Sequence, residues 1–237
     1  MKNVLIVGSA GYLGRSYIQM NKEKYRFWGI DKVKGDHNEE AVYKEFLADV
    51  TDLWSIKQVK EELEKESVKM DAIIFSIGIN PIQSFYSISE ETWDRTFSVN
   101  LKSVVVMIKE LYPIFKEKVS IVLIGSQNGV VGHEQRIDYG PSKAALIQLA
   151  KNLTLDFEVD NEKDIKVNVV SPSYILNQSN EKLLTDSFEG KKLLKKIPLK
   201  KFVQLEDVVG TIDFLLSDYS KAIRGQNIIV DYGYTIV

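Results

Sequence analysis

The sequence predicts an α/β fold, a doubly wound parallel sheet of about seven strands flanked by helices on both faces. Three observations predict it. Runs such as Ile121-Val122-Leu123-Ile124 are apolar at every position, the mark of strands buried on both faces. Such runs alternate with longer helical stretches, as in successive strand–helix–strand units. The first run, Val4-Leu5-Ile6-Val7, leads straight into Gly8-Ser9-Ala10-Gly11-Tyr12-Leu13-Gly14, a glycine-rich turn from strand into helix.

In chain order, strands are expected near 2–7, 26–31, 43–48, 71–75, 119–124, 165–170 and 226–231. Helices are expected near 12–21, 52–66, 94–116, 137–158, 179–196 and 205–216. Glycines after the first strand let the backbone turn sharply and approach a pyrophosphate, which rests on the positive N-terminus of the next helix. Gly8, Ser9, Gly11, Tyr12, Leu13 and Gly14 are therefore candidate cofactor contacts. The second strand, Phe27-Trp28-Gly29-Ile30, ends in Asp31, about 20 residues past the glycines. There a carboxylate can accept hydrogen bonds from the two hydroxyls of an adenosine ribose. Ligands of such sheets bind beyond the carboxyl ends of the strands, where Gly8, Gly78, Ser126 and Pro172 all fall.

Tyr139-Gly140-Pro141-Ser142-Lys143 carries the chemistry. Residues four apart share a helix face, so Tyr139 and Lys143 stand side by side. A free tyrosine has a pKa near ~10 and is a poor base at neutral pH. A fixed ammonium close by favours the phenolate, so Lys143 is expected to lower the Tyr139 pKa. Ser126, at the end of its apolar strand, can hydrogen-bond the oxygen that Tyr139 protonates or deprotonates.

These motifs together resemble the short-chain dehydrogenase/reductase family, in its shorter, single-domain branch with a Rossmann-type fold. The match runs nearly end to end. Asp49-Val50-Thr51 resembles the segment that contacts adenine, and Asp71-Ala72-Ile73-Ile74 with Phe75-Ser76-Ile77-Gly78 resembles the fourth strand and its turn. Ser98-Val99-Asn100 resembles the element bearing the family's asparagine. Val167 to Pro172 resembles the sixth strand and the turn over the nicotinamide, and Gly225 to Asp231 the last strand. The resemblance implies a catalytic set of Asn100, Ser126, Tyr139 and Lys143, with Lys143 also holding the nicotinamide ribose and Asn100 keeping a water that links it to solvent. It adds Asp49, Val50, Ser76, Gly78, Pro172 and Ser173 to the cofactor contacts. It places Gln127, Asn128, His133 and Tyr174, with Asn80, at the substrate, and a substrate-binding segment near 173–203.

The chain also departs from that pattern. Tyr12 stands where the middle glycine is expected, so the spacing G-x-x-G-x-x-G is that of the longer, nucleotide-sugar-modifying branch. The turn usually written N-N-A-G reads Phe75-Ser76-Ile77-Gly78, Ser173 replaces a glycine, and Asn177 a threonine.

Composition sets limits. A single domain over 1–237 is expected, since no linker, repeat or low-complexity tract interrupts the chain. Cysteine is absent, which excludes thiolate metal sites and fits the cytoplasm. His37 and His133 are too few for a histidine metal cluster, so no metal is expected. A net charge of -2 disfavours nucleic acid, and no apolar run approaches a membrane span.

The expected activity is hydride transfer between NAD(H), rather than NADP, and a small secondary alcohol or ketone. Asp31 repels a 2'-phosphate, and Lys32 beside it weakens that preference slightly. Two alternatives stand beside it. One is a reductase of carrier- or coenzyme-bound 3-oxoacyl groups, favoured by Lys191, Lys192, Lys195, Lys196, Lys200 and Lys201, whose plainer reading is a solvated helix. The other is a nucleotide-binding regulator without catalysis. Apolar residues on more than one face of 94–116 and 137–158 predict a homodimer or homotetramer.

Overall fold

The computed structural model describes residues 1–36, 41–160 and 162–237; His37 lies outside them. Seven strands form one wholly parallel sheet in the order β3-β2-β1-β4-β5-β6-β7. They are β1 (Lys2–Val7), β2 (Tyr25–Asp31), β3 (Lys44–Leu47), β4 (Met70–Phe75), β5 (Phe115–Ile124), β6 (Asp164–Pro172) and β7 (Asn227–Val230). The helices are α1 (Tyr12–Asn21), α2 (Leu53–Lys65), α3 (Glu90–Phe97), α4 (Ser103–Leu111), α5 (Tyr139–Asp160), α6 (Glu181–Asp186), α7 (Phe188–Lys196) and α8 (Leu205–Leu216).

Alternate residues of each strand serve opposite faces, so one sheet supports two cores. Leu5 and Val7 pack with Ile56 and Leu63 of α2, Met107 and Ile108 of α4 and Leu146 of α5. Val4 and Ile6 pack with Tyr17 and Ile18 of α1 and Val208 and Ile212 of α8. The strand order reverses between β1 and β4, which opens the ligand crevice above their carboxyl ends.

Two helices differ from the sequence expectation. The stretch 94–116 is α3, a π-helical turn over Ser98–Lys102, and α4. Pro113 cannot continue a helix, and β5 already begins at Phe115. The stretch 179–196 breaks at Ser187, whose hydroxyl accepts the Gly190 N–H at 2.9 Å and caps α7. Among the described residues, no helix is long and apolar enough to cross a membrane.

Candidate active site

The glycine turn is held by backbone geometry. Gly8 has φ +90°, and a Cβ there would meet the Ser76 carbonyl oxygen at 2.8 Å. A Cβ on Gly14 would lie 2.1 Å from the Gly8 oxygen, so both positions require glycine. Gly11 precedes the first residue of α1, and Tyr12 opens that helix with its side chain partly exposed at the cleft. The Tyr12 hydroxyl donates to the Leu176 carbonyl at 3.4 Å, across the cleft. Ser9 is fully buried and its hydroxyl donates to Glu45 Oε1 at 2.9 Å, away from the cleft, so its side chain is not a cleft contact.

Two cavities meet over the carboxyl edge of the sheet. One, of about 540 Å³, is lined by Gly8, Gly11, Asp31, Asp49, Val50 and Gly78 among others. The second, of about 340 Å³, is lined by Tyr12, Leu13, Asn80, Ser126, Tyr139, Lys143, Pro172 and Ser173. Ser76, Ile77 and Gly78 border both, which makes them one continuous cleft. In the first, Asp31 Oδ2 accepts the Ala10 N–H at 3.0 Å, and Asp49 is held below the usual carboxylate range by Thr51, whose hydroxyl and N–H both donate to it.

The four residues expected to be catalytic converge. Asn100 sits in the π-helical turn, a feature frequent at functional sites, and is buried. Its Oδ1 accepts the Ile79 N–H at 2.8 Å, and its Nδ2 donates to the Ile79 carbonyl and to Ser142 Oγ, each at 3.0 Å. Asn100 therefore clamps Ile79, just beyond the β4 turn, to Ser142 of α5. Ser126 lies beyond the end of β5, within hydrogen-bonding reach of the Tyr139 phenol, and its Oγ accepts the Asn128 N–H at 3.2 Å. Lys143 is buried and donates to the Ile124 carbonyl at 2.7 Å. A Cβ on Gly78 would lie 3.2 Å from Lys143 Nζ and 3.5 Å from Asn100 Oδ1, so Gly78 leaves the space that these two groups share.

The electrostatics correct one expectation. Burial raises the Tyr139 pKa; the hydrogen bond with Ser126 and the charge of Arg136 only offset part of that rise. The Lys143 nitrogen lies 5.8 Å from the centre of the Tyr139 ring, and burial pushes its own pKa down to about 8. Burial is the leading influence on Tyr139 and Lys143 is not among the groups that offset it, so the lowered tyrosine pKa read from spacing is not what the folded chain presents.

The expected substrate residues fall beside this cleft. Asn128 and His133 line a neighbouring cavity of about 570 Å³. His133 Nε2 lies 2.8 Å from the Tyr174 hydroxyl, and burial pushes the Tyr174 pKa up. Gln127 is buried and its Oε1 finds no protein partner. Asn177 closes a turn at the start of α6, accepting from Ser179 and Asn180, while lining the cleft.

Several cleft residues escaped the sequence reading. Arg95 lines the first cavity from α3, where a charged residue reads as ordinary helix surface, and Ser98 and Val99 line it from the π-helical turn, read in sequence only as neighbours of Asn100. Asp138 is fully buried, accepts Thr96 Oγ1 at 2.6 Å and the Tyr139 N–H at 2.8 Å, and so fixes the start of α5. An aspartate just before a helix is the signal that could have found it.

Comparison with known proteins fits this geometry. A family model described as enoyl-(acyl carrier protein) reductase matches residues 19–235. The 3-oxoacyl-acyl-carrier-protein reductase of Thermotoga maritima is 30% identical, the alignment covering 99% of this chain and 98% of that protein. The chain belongs to the short-chain dehydrogenase/reductase family. It is an oxidoreductase of that family. The NAD-dependent glycerol dehydrogenase of Listeria innocua is 29% identical over 99% of this chain and 94% of the relative. The crystal structure of a short-chain dehydrogenase family protein from Francisella tularensis superposes with TM-score 0.87 at 27% identity, covering all of both chains. A nicotinamide dinucleotide is the family cofactor such relatives point to, and this cleft fits it. Gly8 and Gly11 line the first cavity where β1 turns into α1, the place a pyrophosphate takes at a helix N-terminus. Buried Ser173 Oγ, without a protein partner, offers a polar contact at the other end.

Proposed function

We propose that this short-chain dehydrogenase/reductase interconverts a small secondary alcohol and a ketone, with NAD(H) as cofactor, using Tyr139, Lys143, Ser126 and Asn100. The observation that carries the reading is the meeting of the Asp31 cavity and the Tyr139–Lys143 cavity over Gly78. The cofactor supplies or accepts a hydride. Tyr139, kept protonated by burial, donates its proton to the carbonyl oxygen in reduction, and as phenolate takes the hydroxyl proton in oxidation. Ser126 orients the reacting oxygen. Lys143 replenishes the proton and holds the nicotinamide ribose, while Asn100 fixes the turn above it. Asp31 receives the adenosine ribose and disfavours a 2'-phosphate.

The chain acts as one domain over 1–237, with a substrate-binding segment near 173–203, and works as a cytoplasmic homo-oligomer. A second reading, reduction of carrier-bound 3-oxoacyl groups, draws support from the lysines at 191, 192, 195, 196, 200 and 201. All six are exposed, and none forms an ion pair among the described residues. Purified protein mixed with NAD and pools of secondary alcohols, followed by absorbance of the reduced cofactor, tests the first reading. Turnover of pooled alcohols that disappears in Tyr139→Phe supports it. Reduction of 3-oxoacyl thioesters alone, lost on charge reversal of the lysines, would replace it with the second.

A further inference from the structure

Asp31 does not stand alone at the ribose end of the cleft. Its Oδ2 accepts the Ala10 N–H at 3.0 Å and its Oδ1 the Val33 N–H at 3.3 Å. Next to Ala10, the buried Ser9 hydroxyl donates to Glu45 Oε1 at 2.9 Å. Two residues beyond Val33, the Gly35 N–H donates to Glu45 Oε2 at 3.0 Å. The result is a closed ring: the glycine turn and the segment after β2 are tied together twice, by Asp31 above and Glu45 below. Each Glu45 oxygen holds a different loop. The Ser9 hydroxyl reaches Glu45 only because position 29, paired with Glu45 in the sheet, is glycine; a Cβ there would lie 2.8 Å from Ser9 Oγ.

We propose that Glu45, which does not line the cleft, is a positioning residue that sets the preference for NAD over NADP by fixing the two loops that aim Asp31. The proposal rests on the NAD reading above. A carboxylate has about four lone-pair sites, so Asp31 can keep its two backbone donors and still accept a ribose diol, provided it does not turn. Loosening the ring acts oppositely on the two cofactors. NAD loses a preorganised acceptor, whereas a 2'-phosphate gains from a carboxylate free to swing away and from the nearby Lys32. General damage to the glycine turn would instead weaken both nucleotides alike.

Calorimetric titration with NAD, NADP and ADP-ribose, on wild type, Glu45→Gln and Glu45→Ala, tests this without needing a substrate. The NAD-to-NADP affinity ratio should fall about tenfold in Glu45→Ala. Glu45→Gln should fall between, because its amide keeps one acceptor oxygen and so holds only one loop. ADP-ribose, which carries the diol but no nicotinamide, should weaken in parallel with NAD. Should Glu45→Ala fail to fold, Ser9→Ala removes one arm of the ring and must shift the ratio in the same direction. An unchanged ratio in the variants, whatever the thermal stability, overturns the proposal. Wild type that binds neither nucleotide, or binds NADP more tightly, would instead sink the cofactor reading on which it rests.

Discussion

Tyr139 and Lys143 show how far one environment moves two side chains. Tyr139→Phe removes only a hydroxyl, so nucleotide binding should persist while turnover on a confirmed substrate falls about 10²–10⁴-fold. Near-normal turnover in that variant would remove Tyr139 from the proton path. Lys143 yields a stability prediction with a definite sign. Its folded pKa is about 8, against 10.5 for the free side chain, so between those values the unfolded chain binds more protons than the folded one. Stability from this group therefore rises as pH increases from about 8 toward 10.5, and at neutral pH its buried charge opposes folding. Lys143→Met should be stabilised at pH 7 by about 1–3 kcal/mol while losing activity. Denaturant unfolding at pH 7 and pH 10 reads it out: the gap between the two proteins should narrow at the higher pH, and a gap that widens contradicts the sign.

At the level of the element, the glycine turn and the interrupted helix are the informative pieces. Gly14 must be glycine because its missing Cβ would collide with the Gly8 oxygen at 2.1 Å, whereas the same atom on Gly11 would meet that oxygen at 3.3 Å. Gly14→Ala should therefore lose nucleotide binding and destabilise the fold by about 1–3 kcal/mol, and Gly11→Ala should cost less than half of that. Thermal unfolding and NAD titration of both variants provide the comparison; equal losses would show that the turn, not the contact, is at stake. Legibility follows the same division. A glycine turn between an apolar strand and a helix is a local pattern, so its limits were readable. The break of 94–116 into α3, a π-helical turn and α4 was not, because the turn is fixed by what Asn100 holds, Ile79 and Ser142, both distant in sequence.

For the whole molecule, assembly is the open property with a physical argument. Much of the apolar surface expected to face a partner is spent within the chain: Val104, Ile108, Leu111 and Leu146 are all buried in the core. What remains is a groove of about 390 Å³ between α4 and α5, lined by Val105, Ile108, Tyr112, Leu153 and Phe157 with Lys109 and Asp156. Val105, in that lining, is 41% exposed. Two copies related by a two-fold axis would cover that strip with each other's α4 and α5 and could pair Lys109 with Asp156. Light scattering at micromolar concentration should return at least twice the 27.0 kDa of one chain, and Val105→Glu should shift the population toward monomer. A monomeric wild type would leave the groove without this role.

The sequence by itself determined the strand order of business: which segments are buried on both faces, where the chain turns on glycine, and which acid, serine, tyrosine and lysine reach the carboxyl edge of the sheet. These are local regularities of hydrophobicity and spacing, and each is written within a few residues. Only the tertiary structure decided what those groups experience. It turned Ser9 away to Glu45, made burial rather than Lys143 the governing influence on Tyr139, and set Asp138 beneath the first turn of α5. Desolvation and hydrogen-bond partnership depend on atoms drawn from the entire chain, from Ile79 to Ser142, and no window of sequence contains them together.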